Sequence, residues 1–461
     1  MKTIRNFNAL WMLIGSLMIL ACNDFTEVDL PQTQLTGSTV YQSEATATAA
    51  ISDIYARLRE NGILSGNLDG LNMTMGLYTD DLTYYGSATL ALDNFFNHTI
   101  IPSNDYAISL WRNSYSQIYA TNALLDGLSN SNDLTVEFKN RLKGEALFIR
   151  AILHFYLANL YGDVPYISTT DYMANSQVSR ESIEIVFDKI RTDLELANEL
   201  LSFEYIATGR VRVNKAAVQT LLARLYVYQE QWSLAESFAT SVINQTSLYS
   251  IEPNINLAFL KSNPSTIWQL HSGIAGANTL EGRFFIFNSG PPTMAAISNN
   301  LLNAFENSDL RKQYWLKSIT GGSKTWYHPY KYKQNANTGT SQEYSIKLRL
   351  EELYLIRAEA RIHQLNISGA QQDLNTIRNR AGLDNISITN QNELLMAILN
   401  EKRFEFFTEM GHRWFDLKRY DLAQEVLEPL KPSWMDRNLL LPIPETELIL
   451  NPNLQPQNTG Y

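Results

Sequence analysis

The feature that most constrains the fold is a long helical pattern over residues 138–161, FKNRLKGEALFIRAILHFYLANLY. Its apolar side chains recur every three or four residues, which is the spacing of one helix face. They are Leu142, Ala146, Ile149, Leu153, Tyr156 and Leu160. Pro165 disfavours helical backbone at the residue before it, so the pattern ends at 162–165. The segment therefore predicts one long amphipathic helix.

The same periodicity predicts that most of the chain is helical, because alternation of the strand type is scarce. Further helices are expected at 45–60, 109–128, 183–201, 215–229, 234–244, 348–365, 369–380, 391–409 and 413–423. Between about 246 and 345 the pattern breaks, and Asn, Ser, Gly, Thr and Pro become frequent. This section is predicted to form loops and short elements laid over the helices, where binding functions are often found.

One pair of predicted helices, 215–244, follows the pattern of a tetratricopeptide unit. Such units place small residues where two helices cross, with a tyrosine in the first helix and an alanine in the second. Ala223, Tyr226 and Ala235 have this spacing. Small side chains let two helix axes approach closely, while bulky neighbours fill the remaining space.

A second segment, 348–380, repeats this layout, with Ala358 and Ala370 separated as Ala223 and Ala235 are. Two such units favour a repeat architecture over an unrelated helix bundle. The predicted fold is all-α: tetratricopeptide-like helix pairs form a right-handed superhelical scaffold, and a loop-rich ligand-binding region packs on it.

The single cysteine, Cys22, lies at the end of an apolar run. Lys2 and Arg5 precede the uncharged segment 9–20, ALWMLIGSLMIL. A helix of that length rises only about 18 Å, less than the hydrocarbon core of about 30 Å. A positive start, a short apolar run and a small residue at its end are typical of a secretory signal peptide.

Residues 19–22, ILAC, resemble a lipobox, the motif in which a bacterial peptidase cuts before a cysteine that becomes acylated. Each buried CH₂ of the acyl chains contributes about 0.8 kcal/mol, so several chains make a firm anchor. The expected organisation is a signal peptide at 1–21, a lipidated N-terminus and tether at 22–40, and one domain at 41–461. Acylation at Cys22 would leave no free thiol and no disulfide.

The charge of the chain argues against nucleic acid as a partner. The formal net charge is −10, and removal of Lys2 and Arg5 with the signal peptide moves it to −12. Phosphates would repel such a protein, and anionic lipid would do so as well. The expected link to the membrane is therefore the acyl chain itself.

Several segments resemble the SusD/RagB family of outer-membrane nutrient-binding lipoproteins. The strongest is 400–420, NEKRFEFFTEMGHRWFDLKRY, which is called the signature below; blocks at 141–167, 215–226, 374–383 and 440–461 follow the family's order. The resemblance implies a lipid-anchored protein of the outer membrane, facing the cell exterior. It also implies an oligosaccharide ligand and a TonB-dependent β-barrel transporter of the SusC type as partner.

The residues of the signature suggest a structural role. Glu409 precedes Arg413 by four positions, which favours an ion pair if the helix continues. Gly411 is expected to let the chain turn instead, with Trp414 and Phe415 packing into the core.

Motifs for catalysis and metal binding are absent from the sequence. No two of the six histidines are four residues apart, and phosphate-loop and nucleophile-elbow motifs do not occur. Glycoside hydrolysis needs only two carboxylates, and the chain has 47 acidic residues. The predicted scaffold and the family both favour a non-catalytic protein without a metal or cofactor.

Two loop-like tracts combine aromatic rings, which stack on sugars, with polar groups that bond hydroxyls. They are GLYTDDLTYYGS at 76–87 and KTWYHPYKYK at 324–333. The residues predicted to bind ligand are Asp81, Tyr84, Tyr85, Trp326, Tyr327 and Tyr330. The alternative is that these rings anchor loops, and that the Asp80-Asp81 pair belongs to a turn or helix cap.

The leading functional hypothesis is a surface lipoprotein that captures oligosaccharides for a transporter without breaking bonds. The first alternative keeps the architecture and replaces the ligand with peptides. The second is a helical-repeat scaffold that binds only proteins, and the third is an enzyme.

Overall fold

The protein is mostly helical, with 54% helix, and the computed structural model describes residues 40–461. The predicted signal peptide, the predicted acylation site Cys22 and the tether up to residue 39 lie outside the described residues. Within 40–461, no helix has both the length and the apolar character needed to cross a bilayer.

The helices begin and end at defined residues. In chain order they are α1 (Glu44–Glu60), α2 (Leu71–Tyr78), α3 (Ala91–Asn97), α4 (Asp105–Asn130), α5 (Val136–Tyr161), α6 (Tyr172–Asn175), α7 (Ile183–Leu200), α8 (Lys215–Tyr228), α9 (Trp232–Ile243), α10 (Leu280–Phe285), α11 (Asn299–Ala304), α12 (Leu310–Tyr314), α13 (Leu350–His363), α14 (Ile367–Arg380), α15 (Gln391–Phe406), α16 (His412–Arg419), α17 (Ala423–Leu427) and α18 (Glu445–Leu450). Short 3₁₀ helices lie at Val40–Gln42, Thr208–Arg210, Ile255–Leu257, Asp436–Leu439 and Pro452–Leu454.

Six short strands in the described chain pair as three antiparallel two-stranded sheets. They are β1 (Leu82–Tyr84), β2 (Thr266–Leu270), β3 (Ala295–Ile297), β4 (Leu316–Gly321), β5 (Lys324–Pro329) and β6 (Ser345–Arg349). Strand β1 pairs with β3, β2 with β6, and β4 with β5. All of them except β1 lie in or at the edge of the section predicted to be loops, so that section is more ordered than its composition indicates.

Helix α5 is the centre of the main core. Thr135 caps its start by accepting a hydrogen bond from the backbone N–H of Phe138, and Gly162 ends it with φ 77°. Every residue from Gly144 to Tyr161 is buried, so the helix is covered on all sides. The periodicity predicted one buried face; α1, α4 and α7 together cover the rest of the circumference.

The predicted tetratricopeptide-like pairs are confirmed as α8–α9 and α13–α14, and α9 packs on α13 so that the pairs stack. Ala223, Ala235, Ala358 and Ala370 have no exposed surface, as expected where helices cross closely. The turn between α8 and α9 packs on α13 through Trp232 and His363, whose rings stack 3.8 Å apart.

The other predicted helices are present, with corrections at two ends. Residues 348–349, expected in a helix, belong to β6 and pair with β2. The helix predicted to run to residue 409 ends at Phe406, because Thr408, Met410 and Gly411 all have positive φ, and a new helix begins after Gly411. The predicted helix 413–423 is divided into α16 and α17, because Asp421 between them has a positive φ of 54°.

A cluster of buried charges joins the loop-rich section to the helices. Glu405 of α15 forms ion pairs with Arg349, Arg380 and Arg311, the last at 3.3 Å. These arginines come from the end of β6, from α14 and from α12, and all four side chains are buried. Arg311, Arg349, Arg380 and Glu405 are called the Glu405 cluster below.

The chain turns at Gly411, as expected, so the ion pair between Glu409 and Arg413 that a continuous helix would allow does not form. Glu409 instead bonds to Arg349 at 2.9 Å and to Lys331 at 2.5 Å, while Arg413 points to Asp80. The chain turn at Gly411 separates the two residues from a common helix face. The prediction that Trp414 packs into the core is confirmed, and the same holds for Phe415.

The Glu405 cluster favours ionised carboxylates. Burial alone would raise the pKa of Glu405, but the guanidinium groups of Arg380, Arg349 and Arg311 outweigh it and hold that pKa well below its usual range. For Glu409, too, burial is outweighed by Arg349 and Lys331, and the pKa is lowered. Both carboxylates are therefore charged at neutral pH. Through Arg349 they hold the end of β6 against the signature.

Enlarging a crossing alanine should destabilise the scaffold. We expect Ala235→Leu to lower the free energy of unfolding by about 1–3 kcal/mol, because a larger side chain must displace well-packed neighbours. Urea denaturation measures this. Ser237→Leu, at an exposed position of the same helix, should change it by less than about 0.5 kcal/mol. Equal effects of the two substitutions would contradict close crossing at Ala235.

Glu405→Gln should be far more damaging than the loss of a surface ion pair. The substitution leaves buried arginines without a counter-charge, and we expect a loss of about 3–5 kcal/mol in urea denaturation at neutral pH. The control is Asp53→Asn, which removes an exposed pair with Arg57 and should cost less than about 1 kcal/mol.

The pH dependence supplies a second readout for this variant. The pKa of Glu405 is lowered in the folded state, so its contribution is present above the ordinary value of 4.5 and is lost as pH falls below it. The stability gap between wild type and Glu405→Gln should therefore narrow on acidification. A gap that stays constant or widens as pH falls would show that Glu405 is not held ionised by the arginines.

Candidate ligand-binding site

The first predicted tract leads from α2 into β1. Tyr84 is half-buried, pairs across the strands with Ala295, and donates its hydroxyl to the backbone oxygen of Ser87 at 3.0 Å. The backbone N–H of Tyr85 donates to the oxygen of Met294 at 2.8 Å, which extends the pairing by one residue. The Tyr85 side chain is 41% exposed. The Tyr84 ring is therefore packed against neighbouring residues, whereas the Tyr85 ring lies at the surface.

The second tract forms β5 and its continuation. In the β4–β5 hairpin, Trp326 lies opposite Ile319 and Tyr327 lies opposite Ser318. Trp326 is half-buried and packs over Gly290, where an added Cβ would come within 2.2 Å of the indole ring. Only glycine leaves room for the indole at that point, so the backbone fixes the ring's position.

Tyr330 follows the hairpin and sits among cations. Lys317 Nζ lies 4.8 Å from the centre of its ring, and Lys333 Nζ lies 4.3 Å from it. The ring also meets His328 edge to face, with 5.5 Å between ring centres. Half-buried and held on several sides, this ring is positioned by the same hairpin as Trp326 and Tyr327.

The fold brings the two tracts together, although they are far apart in the sequence. Both Tyr84 and Tyr327 pack against one hydrophobic cluster separate from the main core, called the second core here. Strand β3, which pairs with β1, also contacts β5. The second core includes Leu82, Ala295, Ile297, Leu301, Phe305, Trp315, Leu316, Ile346 and Phe407. Aromatic rings from the two tracts therefore pack against the same second core.

Asp81, predicted to bind ligand, lies beneath this surface. Its carboxylate is buried and meets Arg403 Nε at 3.4 Å. Asp80 bonds to Arg413 at 2.9 Å and to Arg403 at 2.9 Å. This environment favours a framework role for Asp81, and its role in ligand binding stays a prediction.

The two neighbouring acids have opposite pKa shifts. Burial raises the pKa of Asp81 to about 6, partly offset by Arg403, and the charge of Asp80 raises it further. For Asp80, burial is outweighed by Arg403 and Arg413, and the pKa falls below its usual value. The pair ties the first tract to the signature, a partnership that no short-range sequence pattern reveals.

A cleft of about 310 Å³ opens beside α1, between two segments of the loop-rich section. Its polar and charged lining includes residues that sequence analysis did not identify: Arg59, Glu60, His271, Asn278, Arg283, Gln334, Asn335 and Asn337. Its volume is at the small end of the range of ligand pockets. Gln334 follows the second aromatic tract directly in the sequence, and the lining combines hydrogen-bonding groups with apolar side chains such as Leu270 and Ile274.

Histidines in the interior serve packing. His154 stacks on Tyr166 with ring centres 4.0 Å apart, and His412 stacks on Phe406 at 4.5 Å. Burial lowers the pKa of His154 to about 3 and that of His412 to about 4, so both are neutral at neutral pH. Within residues 40–461, no group of three or more His, Cys, Asp or Glu is arranged to hold a metal ion.

Comparison with protein families gives two matches. Residues 38–227 match a family described as "Starch-binding associating with outer membrane", and residues 302–435 match one described as "SusD family". The second match contains the signature and the whole Glu405 cluster. The first contains α1 to α7, all but the last residue of α8, and the first aromatic tract.

Relatives and solved structures extend the similarity over almost the whole chain. SusD-like protein P25 of Formosa agariphila is 24% identical, and the alignment covers 96% of this chain and 97% of the relative. A SusD superfamily protein from Bacteroides vulgatus shares the fold with a TM-score of 0.81 at 20% identity, covering 92% of this chain and all of the other. A structure titled "Laminarin binding SusD-like protein" has a TM-score of 0.77 at 22% identity, with 91% and 100% covered. The family matches on both sides of residues 228–301, together with these relatives, establish that the chain belongs to the SusD/RagB family.

Proposed function

We propose that this protein is a cell-surface lipoprotein that binds oligosaccharides and delivers them to a SusC-like TonB-dependent transporter without breaking bonds. The observation that carries the proposal is the convergence of two aromatic tracts on the second core. Tyr85 and Trp326 keep part of their rings at the surface, while Tyr84 and Tyr327 anchor the strands beneath. Such an arrangement suits the apolar C–H faces of sugar rings.

Rigid mounting of the rings supports binding of a sugar. The β4–β5 hairpin and the packing of Trp326 on Gly290 fix one tract, and pairing with β3 fixes the other. Rings held in place before the ligand arrives lose little conformational entropy on binding. The laminarin-binding structural neighbour and the starch-binding description of the matched family point to the same class of ligand.

The surroundings of the tracts favour capture over catalysis. The pair of acids within the first tract, Asp80 and Asp81, is buried and engaged by Arg403 and Arg413. Glycoside hydrolysis needs two carboxylates that flank the scissile bond, and buried, arginine-paired groups are poorly placed for it. In the proposed mechanism the protein raises the ligand concentration above the transporter pore.

The proposal includes anchoring at the outer membrane, with cleavage after residue 21, acylation of Cys22 and a tether up to residue 40. The folded domain would then stand away from the lipid surface. The motif at 19–22 and the description of the family matched at 38–227 support this location.

Removing the exposed rings should weaken glycan binding. We expect Tyr85→Ala and Trp326→Ala each to lower the affinity for an oligosaccharide by about tenfold, as loss of a well-placed aromatic contact does. Isothermal titration against laminarin, starch and other glycan oligosaccharides, with a peptide panel alongside, measures this. Tyr119→Ala is the control, because Tyr119 is 51% exposed on α4, outside both tracts.

Each contrary outcome favours a different function. A heat of binding with the peptide panel alone would support peptide capture. No heat of binding with either panel would support a scaffold that binds only proteins. Full affinity in the Tyr85→Ala, Trp326→Ala double variant would place the ligand elsewhere. Release of reducing sugars by the purified protein would identify an enzyme.

Cys22→Ser should detach the protein from the membrane. Without a thiol the acyl chains have no attachment point, so we expect the variant to leave the outer-membrane fraction while the wild type stays in it. Cell fractionation with immunoblotting measures the distribution, and mass spectrometry of the wild-type N-terminus detects the lipid. A variant that remains in the membrane fraction, or an unmodified Cys22 in the wild type, would contradict acyl anchoring.

A further inference from the structure

Two cations, Arg59 and Arg283, and two acids, Glu60 and Glu281, line the cleft beside α1. Arg59, His271 and Arg283 line it, and Lys261 stands close behind, with its Nζ 5.6 Å from the centre of the Tyr344 ring. That ring in turn packs on His271, with 4.7 Å between ring centres. These groups come from α1, α10 and two loops, so the fold brings the cations together. The site is called the basic cleft below.

The acids that line the basic cleft are already neutralised. Glu281 is buried, and its Oε1 accepts hydrogen bonds from Lys347 at 3.2 Å and from Asn72 at 3.0 Å. Glu60 pairs with Arg59 at 2.5 Å. Within residues 40–461, Arg283 and Lys261 form no ion pair at all. The basic cleft therefore keeps uncompensated positive charge on a chain whose formal charge is −10.

The environment of His271 is consistent with this charge balance. Its pKa is lowered by partial burial and, next, by the nearby charges of Arg59 and Lys261. A group surrounded by cations resists gaining another proton. The direction of this shift agrees with the placement of Arg59 and Lys261 near the imidazole.

Hydrogen-bond donors and an apolar edge complete the cleft. Asn335 and Asn337 are exposed at its wall, and their side chains make no hydrogen bond to any other residue in the described part of the chain. The same is true of the Arg283 guanidinium. Ile274, which is 68% exposed, lies on the rim. Free amides suit sugar hydroxyls, and the apolar rim suits a ring face.

We propose that the basic cleft is a second ligand subsite that takes the acidic substituent, carboxylate or sulfate, of an anionic glycan. The proposal rests on glycan binding as the proposed function and adds a class of substrate to it. Arg283 is the main recognition residue, because a guanidinium presents a planar fork that bonds two oxygens of such an anion. Lys261 adds positive charge behind the wall, and the two asparagines bond neighbouring hydroxyls.

The test compares glycans that differ in the acidic group. Isothermal titration of the full-length lipoprotein in detergent would use oligogalacturonides for carboxylate, carrageenan oligosaccharides for sulfate, and methyl-esterified oligogalacturonides as the neutral match. We expect at least one anionic probe to bind, with the neutral match weaker by about tenfold or more. Raising the salt concentration should weaken only the anionic probe, because exposed charges are screened.

Variants assign that binding to the cleft. Arg283→Ala should lower affinity for the anionic probe by about tenfold, and Arg283→Lys should restore part of it, since the charge returns without the fork. The matched control is Arg57→Ala, because Arg57 is exposed on the same helix as Arg59 but pairs with Asp53 outside the cleft. It should leave the affinity unchanged.

The proposal is overturned if neither anionic probe binds, if the neutral match binds equally well, or if Arg283→Ala behaves like Arg57→Ala. These results can be distinguished from failure of the proposed function. That function is tested by the affinity for neutral glycans and by its loss in the Tyr85 and Trp326 variants. Neutral binding lost in those variants, with no anionic preference, would leave glycan capture intact and remove only the second subsite.

Discussion

The buried charge on Glu405 is the interaction on which the architecture depends. Its carboxylate holds arginines from β6, α12 and α14, so three segments distant in sequence meet at one point of α15. Glu409 adds a second link through Lys331 and Arg349, while the apolar clusters of the two parts remain distinct. Desolvation makes such a cluster costly unless every member is paired, which favours one arrangement of these segments over others.

The same principle positions the candidate site. Asp80 and Asp81 follow α2 and pair with Arg403 and Arg413, which flank the chain turn at Gly411. The first aromatic tract therefore begins from a fixed point on the signature and continues into β1. The second tract packs against the second core through Tyr327, and Phe407 of the signature also belongs to that core. The aromatic surface proposed to bind ligand is therefore held by defined strands, although the composition of the section that carries the second tract indicates loops.

What could be predicted from the sequence was mostly local. Helix positions follow from apolar spacing within each segment, and Ala223, Ala235, Ala358 and Ala370 mark close crossings because the repeat spacing is itself local. The turn at Gly411 was expected from the glycine, whereas the earlier break at Thr408 depends on backbone conformation that spacing does not encode. Strand β2 was missed because a short buried strand such as TIWQL shows no alternation.

Partnerships between distant residues could not be read in this way. Asp81 stands beside two tyrosines in the sequence, which suggests a ligand role, whereas its arginine partner lies near the other end of the chain. The basic cleft likewise combines Arg59 with Arg283, and neither position carries a recognisable motif. The sequence shows the aromatic residues as two separate tracts, and their packing on one second core could be seen only in the tertiary structure.

The most direct test of the account is a crystal structure of the protein with a bound oligosaccharide from the glycan that it captures. We expect intact sugar rings stacked on Tyr85 and Trp326 at the surface of the second core, with the glycosidic bonds uncleaved. A sugar seated instead between the stacked helix pairs, or a hydrolysed product beside a pair of carboxylates, would contradict it.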